Sequence, residues 1–391
     1  MNPKPELPQP DAVSASHSLK VASHVDGLIE AGGGSISFAE FMSATLYAPG
    51  LGYYTAGSEK FGRAGDFITA PEVSPLFGHV IARQIAPVLA GTGGDVLEPG
   101  AGSGALAAAM LERLADLDAL PERYLILDVS PELKARQLAR LESAVPALAG
   151  RVTWIDRVPD AFTGVVVANE VVDALPVERF RIDGGRVLQG RVIKANGRYA
   201  WRFDAAPAIV ERAVRDVEAS LDASLPDGYE SEVSPAGSDW VSSICRAVRD
   251  GVVLLIDYGV SRRQFYAADR GAGWLRCHFR HRAHNDPLIL PGIQDITSWV
   301  DFTAVAEAGV SAGMELIGYT SQANFLLHGG LDSELARFAD LPVEEQVSIS
   351  GQVKQLTLPA EMGENFKVIG LGRGETTTIP ALCVANLAHQ L

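Results

Sequence analysis

The residues with the clearest chemical potential lie in one short run, DVLEPGAGSGALAAA, from Asp95 to Ala109. Val96 and Leu97 close an apolar stretch, Glu98 follows, and Gly100, Gly102 and Gly104 alternate ahead of an alanine-rich segment. This order predicts strand, turn and helix. Glycines at that spacing let the backbone turn sharply and bare the main-chain N–H groups of a helix N-terminus, where a flat or anionic ligand can lie. Two nucleotide chemistries compete for such a turn. Gly100, Gly102 and Ala105 fit the G-x-G-x-x-G/A fingerprint that holds a dinucleotide pyrophosphate. Glu98 argues the other way, because a carboxylate two residues before the first glycine repels phosphate and suits an ammonium or sulfonium group. S-adenosylmethionine (SAM) carries both cations and no phosphate.

Further acidic residues follow the apolar runs. Asp128 ends the predicted strand Tyr124 to Leu127, where a carboxylate accepts hydrogen bonds from both ribose hydroxyls of either ligand. Asp156, after Val152 to Ile155, is assigned to the adenine amino group. The run Gly164 to Ala168, GVVVA, is of the fully buried parallel kind and leads into Asn169, Glu170 and Asp173. A turn beginning at Asn169 puts Glu170 and Asp173 on one face; the plainer alternative is that they cap a helix after the strand. Asp257 and Tyr258 follow the apolar run Val252 to Ile256 at the equivalent place. Upstream, Tyr53 to Gly78 is long, irregular and aromatic, and is read as a lid over the cofactor with Asp66, Thr69 and Glu72 as its polar candidates. An ordered surface loop packing its own aromatics is the alternative. In CHFRHRAH, His278, His281 and His284 recur every third residue beside Cys277. The following Asn285, Asp286 and Pro287 favour a loop over a helix, so no metal is assigned, and His281 is given a substrate or insertion contact.

The elements that must position these groups alternate strand and helix. Leu19 to Ala31 reads as a helix, and Ser37 with Glu40 forms a capping box for a helix over Phe38 to Tyr47. Helices are also expected over Phe77 to Leu89, Pro131 to Ser143, Ala208 to Leu221, Phe302 to Ala312 and Gln322 to Leu327. Strands are expected over Glu315 to Tyr319 and Phe366 to Leu371. Between Arg179 and Phe203, three short alternating strands joined by Asp183-Gly184-Gly185 and Ala195-Asn196-Gly197 indicate an antiparallel insertion. The expected organisation is a flexible tail (1–18), a helical and lid region (19–90), half of an α/β domain (91–177), an inserted substrate region (178–250), and the second half (251–391) with a loop insertion at about 261–300.

Composition narrows the class. The 391 residues are 47% hydrophobic and 21% charged, ordinary for a globular protein. A net charge of −15 disfavours nucleic acid as a partner and is compatible with a basic peptide. Apolar runs such as Gly251 to Ile256 are too short to span a bilayer. Cys245, Cys277 and Cys383 are scattered and give no disulfide framework. The proline-rich first residues lack the features of a secretory or transit signal, so a cytoplasmic location is expected over a mitochondrial matrix one.

With these residues in view, the chain resembles the MidA family of class I SAM-dependent methyltransferases, related to a mitochondrial complex I assembly factor. The resemblance runs from about Phe38 to Lys367 and rests on seven segments in order. They are GDFITAPEVSPLFG (Gly65 to Gly78), LEPGAGSG (Leu97 to Gly104), NEVVDALP (Asn169 to Pro176), ESEVSPAGSDW (Glu230 to Trp240), IDYG (Ile256 to Gly259), PGIQDITSWVDFT (Pro291 to Thr303) and MGENFKV (Met362 to Val368). Relatives often carry Glu where this chain has Asp128, a change the ribose role survives. The resemblance implies a Rossmann-like α/β fold with a mostly parallel seven-stranded sheet and helices on both faces. It also implies SAM as methyl donor, Glu98 beside its methionine part, and, for the mitochondrial member, methylation of an arginine on a complex I core subunit. Glu170 and Asp173 would then fork a guanidinium, with Asn169 positioning the substrate or the methionine end. The partner so implied is a protein substrate, with a complex I core subunit as the specific case; a homodimer is a separate expectation that the resemblance does not supply. Two alternatives stay open: a nicotinamide oxidoreductase on the same turn, and a non-catalytic assembly chaperone that binds SAM.

Overall fold

The computed structural model describes residues 7–56, 68–128 and 130–391. The chain divides into two compact units. The first comprises Met1–Phe67, Val172–Asp239 and Ser261–Asp301; the second comprises Ile68–Val171, Trp240–Val260 and Phe302–Leu391. The region expected as one body over 19–90 therefore divides after Phe67, and its later part belongs with the large sheet.

That sheet is built from strands here numbered in chain order: β1 (Asp95–Pro99), β2 (Tyr124–Leu127), β3 (Val152–Ile155), β4 (Phe162–Asn169), β5 (Val248–Val260), β6 (Glu315–Ser321) and β7 (Phe366–Arg373). Their order across the sheet is β6-β7-β5-β4-β1-β2-β3. The pairs β5–β4, β4–β1, β1–β2 and β2–β3 are parallel, and β7 is antiparallel to both β5 and β6. This is the Rossmann-like class I arrangement that the resemblance implied, and strand order reverses direction between β1 and β4. Ligands of open α/β sheets gather outside the carboxyl ends of the strands at such a switch point.

The central strands are buried on both faces, which is why β4 and β5 read as unbroken apolar runs. Val96, Ile126, Val165, Val167, Val252, Leu254 and Ile256 form one core with Ile81, Ile85 and Val88 of the helix Pro75–Thr92 and Leu106, Met110 and Leu114 of the helix Ala105–Asp116. Each fully buried side chain of this size is worth roughly 1.5–3 kcal/mol.

The lid stretch is more regular than expected where it is described. Ala70–Val73 is a helical turn, and Ser74 caps Pro75–Thr92, whose Pro75 suits the first helical position. Among the described residues no helix is long and apolar enough to cross a membrane.

The first unit holds the antiparallel insertion. Arg186–Ala195 pairs with Ile36–Ser37, Glu178–Asp183 and Arg198–Ala205, and Glu178–Asp183 pairs in turn with Glu230–Val233. The three insertion strands and the helix Ala208–Leu221 match expectation; Ile36–Ser37 and Glu230–Val233 are additional. The histidine segment forms a hairpin, Leu275–Phe279 with Arg282–His284, extended by Asp295–Ser298, where a loop was expected. Arg280 and His281 make its turn, both with left-handed backbone. The expected tail is also corrected: a helix spans Ala12–Ala31, because the Asp11 carboxylate accepts the Val13 and Ser14 N–H groups and starts it early.

The capping box is present as read, with Glu40 N–H donating to Ser37 Oγ at 3.1 Å and Ser37 N–H to Glu40 Oε2 at 2.7 Å. Ser37→Ala is expected to lower stability by about 1 kcal/mol, the usual worth of such a cap, as measured by urea denaturation. An unchanged midpoint would show the helix Phe38–Tyr47 to be held by packing alone.

Candidate functional site

At the carboxyl end of β1 the chain enters the glycine turn. Gly100, Gly102 and Gly104 all have left-handed backbone, with φ of 65°, 54° and 83°. A Cβ at Gly100 would lie 3.1 Å from Val171 Cγ2, and one at Gly104 would lie 3.2 Å from Gln137 Cα, so both conformation and space call for glycine. Gly104 N-caps the helix Ala105–Asp116 and brings no side chain, leaving the first-turn N–H groups to the turn itself.

Glu98 is 2% exposed. Burial pushes its carboxyl up to about 7; the hydrogen bond from Tyr124 Oη (2.5 Å to Oε2) opposes the shift and the charge of Asp128 adds to it. The same pair drives the Tyr124 phenol well above its ordinary value, chiefly through burial. Glu98 is thus only partly ionised at neutral pH, short of the full charge its residue type leads one to expect. A neighbouring cation favours the ionised form.

Asp128 ends β2, buried, with Oδ1 accepting from Ser130 N (2.9 Å) and Oδ2 from Gln137 Nε2 (2.8 Å). Asp156, after β3, is exposed. Thr69 is the N-cap residue of Ala70–Val73 and makes no side-chain cap bond. Glu72 is engaged by the turn: Arg140 Nη1 donates to Glu72 Oε1 and to Ser103 Oγ, each at 2.5 Å, and Ser103 Oγ donates to Glu72 Oε1. Burial pushes the Glu72 carboxyl up, but the bonds from Arg140 and Ser103 outweigh it and hold the group below its ordinary range.

After β4 no helix follows, so the capping alternative for Glu170 and Asp173 does not apply, and the helical spacing that put them on one face is absent. Glu170 has φ of 53°, uncommon for a residue with a side chain, and its N–H donates to Ile256 O at 2.9 Å. Its Oε1 accepts from Asn169 Nδ2 at 3.1 Å and from Ala70 N at 3.4 Å. Asn169 Oδ1 is shielded from solvent and has no hydrogen-bond partner among the described residues. Asp257, at the end of β5, is buried and accepts from Tyr258 N at 2.9 Å, and the Tyr258 ring meets Phe366 edge-on at 5.5 Å.

The sheet unit therefore carries Glu98, the three glycines, Asp128, Thr69, Glu72, Asn169, Glu170, Asp257 and Tyr258 at or near the carboxyl ends of its strands. Asp173 and His281 belong to the first unit, where Asp173 is buried and its carbonyl accepts from Ser298 N, and His281 is exposed on the hairpin turn. Asp66 lies outside the described residues. Among the described residues no group of three or more His, Cys, Asp or Glu is placed to hold a metal ion. Sequence reasoning missed Tyr124, Ser103, Arg140 and Gln137. Gln137 did leave a signal: it stands four residues from both Leu133 and Leu141, a polar residue in the apolar stripe of its helix.

The arrangement fits a cationic nucleoside: a helix N-terminus with no side-chain cap, a side-chain-free turn, a buried carboxyl ready to ionise beside a cation, and a second carboxylate at the tip of β2. Residues 80–320 match a family model described as S-adenosyl-L-methionine-dependent methyltransferase. A crystal structure of a Burkholderia thailandensis protein bound to S-adenosylhomocysteine aligns with a TM-score of 0.92 at 39% identity, covering 99% of this chain and 100% of that one. The Drosophila melanogaster protein arginine methyltransferase NDUFAF7 homolog, mitochondrial, is 28% identical over 411 residues, covering 96% of this chain and 90% of the relative. The Homo sapiens protein arginine methyltransferase NDUFAF7, mitochondrial, is 26% identical over 383 residues, covering 86% and 80%.

A raised carboxyl value makes a testable demand on the ligand-free protein. The folded chain holds the Glu98 proton up to about pH 7, while an unfolded glutamate releases it near 4.5. The folded state binds more protons between these values, so stability falls as pH rises through that window and levels off above it, by up to roughly 3 kcal/mol. Glu98→Gln, which keeps an acceptor for Tyr124, is expected to flatten that fall in denaturation curves taken from pH 5 to 8. Parallel curves for the two proteins would contradict the assignment.

Proposed function

This chain belongs to the family of SAM-dependent methyltransferases, and from that premise we propose that it methylates an arginine side chain of a protein substrate. Its cofactor is SAM, which removes the dinucleotide alternative, and it is a methyltransferase rather than a binding protein alone. The arginine reading draws on the relatives named as protein arginine methyltransferases. A respiratory complex I core subunit is the target we propose, following the family resemblance.

One observation carries the choice of acceptor. At the end of β4, Asn169 offers a shielded Oδ1, unpartnered among the described residues, beside the Glu170 carboxylate and two positions before Val171, which a Cβ at Gly100 would meet. Such a cluster of acceptors suits a group that is cationic and can only donate, which describes a guanidinium.

When bound, SAM supplies a methyl group already activated by its sulfonium. What remains for the protein is alignment, exclusion of water, and a change in the acceptor's electrons. A guanidinium is protonated and delocalised, its pKa above about 12, and so is a poor nucleophile. Hydrogen bonds from two of its nitrogens to Glu170 localise the positive charge there and turn the third nitrogen toward the methyl. Transfer would leave the S–C bonding pair on sulfur and one proton for the attacking nitrogen to release to solvent, while the Glu170 carboxylate stabilises the remaining cation. Asn169 Oδ1 accepts a remaining N–H and fixes the plane of the group. Asp173, expected as the second arm of the fork, lies in the first unit, so Glu170 and Asn169 carry the proposal.

Two substitutions separate chemistry from cofactor binding. Glu170→Gln is expected to keep SAM affinity within about twofold by calorimetry while cutting methyl incorporation at least about 100-fold, the usual scale for loss of an electrostatic or acid–base group. The assay is transfer of labelled methyl from SAM into lysate of cells lacking the protein, with the labelled residue read by mass spectrometry. Label on lysine, or unchanged turnover, would refute the arginine mechanism. Gly100→Val, which would press on Val171, is expected to weaken SAM binding at least about tenfold. Unaltered affinity would remove the turn from the site.

A further inference from the structure

We propose that Gln137 is a positioning residue for the cofactor: one buried amide sets both the Asp128 carboxylate and the glycine turn. The proposal rests on SAM as cofactor and on Asp128 as the ribose acceptor.

Gln137 comes from the helix Pro131–Ala144 and is 0% exposed. Its Nε2 donates to Asp128 Oδ2 at 2.8 Å and to Gly102 O at 3.0 Å, and its Oε1 accepts from Trp154 Nε1 at 2.7 Å. No flipped amide satisfies these partners. An indole N–H only donates, whereas a carboxylate and a carbonyl only accept, so the nitrogen must face Asp128 and the turn. Three of the four hydrogen bonds open to the amide are used, and the side chain is fixed at both ends.

Two consequences reach the ligand. The first concerns Asp128, whose Oδ1 is held by Ser130 N and whose Oδ2 is held by Gln137. An ionised carboxylate has about four acceptor positions, so roughly one remains on each oxygen. One acceptor per oxygen, side by side, is what the two adjacent hydroxyls of a ribose require. Without Gln137 the carboxylate could rotate about its one remaining anchor. The second concerns the turn. Holding the Gly102 carbonyl fixes the plane of the peptide that follows, and across a trans peptide the Ser103 N–H points the opposite way, off the helix that carries Gln137. The missing Cβ of Gly104 lets that helix approach closely enough for the amide to reach, since a Cβ there would lie 3.2 Å from Gln137 Cα. A single uncharged side chain therefore couples the tips of β1, β2 and β3, through Gly102, Asp128 and Trp154.

A merely structural amide and a positioning one differ in what they do to ribose recognition. The test measures affinities of S-adenosylhomocysteine and of its 3′-deoxy analogue by calorimetry, in the full chain and in Gln137→Met, Asp128→Asn and Trp154→Phe. In the unsubstituted protein the hydroxyl should be worth about tenfold or more, as expected for a hydrogen bond to a charged group. In Gln137→Met the ratio should collapse to within about twofold of one, whereas loss of packing alone would weaken both ligands equally and leave the ratio intact. An intact ratio in Gln137→Met overturns the proposal. Asp128→Asn tests the underlying reading: a large ratio there means that Asp128 is not the ribose acceptor, independently of Gln137. Should Gln137→Met fail to fold, Trp154→Phe carries the test, since it removes the donor that anchors Oε1. Its ratio should fall at least about threefold, and no fall would overturn the proposal.

Discussion

A carboxyl group buried at the tip of β1 sets the conditions for everything around it. Glu98 has left water at the centre of a parallel sheet, and a phenol hydrogen bond from Tyr124 does not offset that loss, so the group retains its proton up to about pH 7. A buried acid in this state is a poor repellent for phosphate, which weakens the simplest charge argument for ligand choice. It is a strong attractor for a cation, because a positive group beside it draws the carboxyl into its ionised form and gains a low-dielectric ion pair. With Glu98 read as the cofactor's neighbour, as proposed, selection would follow from attraction on binding more than from repulsion in the empty protein. The neighbouring charge of Asp128 acts in the same direction, raising the Glu98 value and increasing what a cation can recover.

Elements whose signals are local were legible in the sequence. Strands β2 and β3 begin and end where their apolar runs do, the capping box of Ser37 and Glu40 starts its helix, and Asn196-Gly197 turns its hairpin. What escaped was decided by partners distant in sequence. The early start of Ala12–Ala31 is the local exception, set by its neighbour Asp11 within a proline-rich stretch. The backbone after β4 looked like a helix start by residue type, yet Glu170 is left-handed, its N–H bonded to Ile256 O on the neighbouring strand. Glu72 looked like a free acid on a lid, and only the fold brings Arg140 and Ser103 to it. The histidine-rich segment has strand pairing because Asp295–Ser298, far along the chain, supplies the partner. Of the candidate site, the glycine turn and the acidic strand tips could be read directly, while the residues that hold them in place could not.

That difference has a physical basis in how a negatively charged site must be supported. Groups that touch a cationic ligand are acidic or side-chain-free, and such types stand out at strand ends. The supporting groups must orient those acids without discharging them. An arginine or lysine at position 137 would pair with Asp128 and cancel the charge that Asp128 would offer the cofactor proposed here. An apolar residue would leave the Asp128 oxygen and the Gly102 carbonyl without a donor, each at a cost of roughly 1–3 kcal/mol. An amide supplies two donors and an acceptor with no net charge, and Gln137 uses all three. Arg140 is tolerated because its charge is taken up by Glu72, which leaves the balance at the turn unchanged. A polar but uncharged residue in an apolar helical stripe, facing an acidic strand tip, is therefore what this electrostatic constraint leaves behind in a sequence.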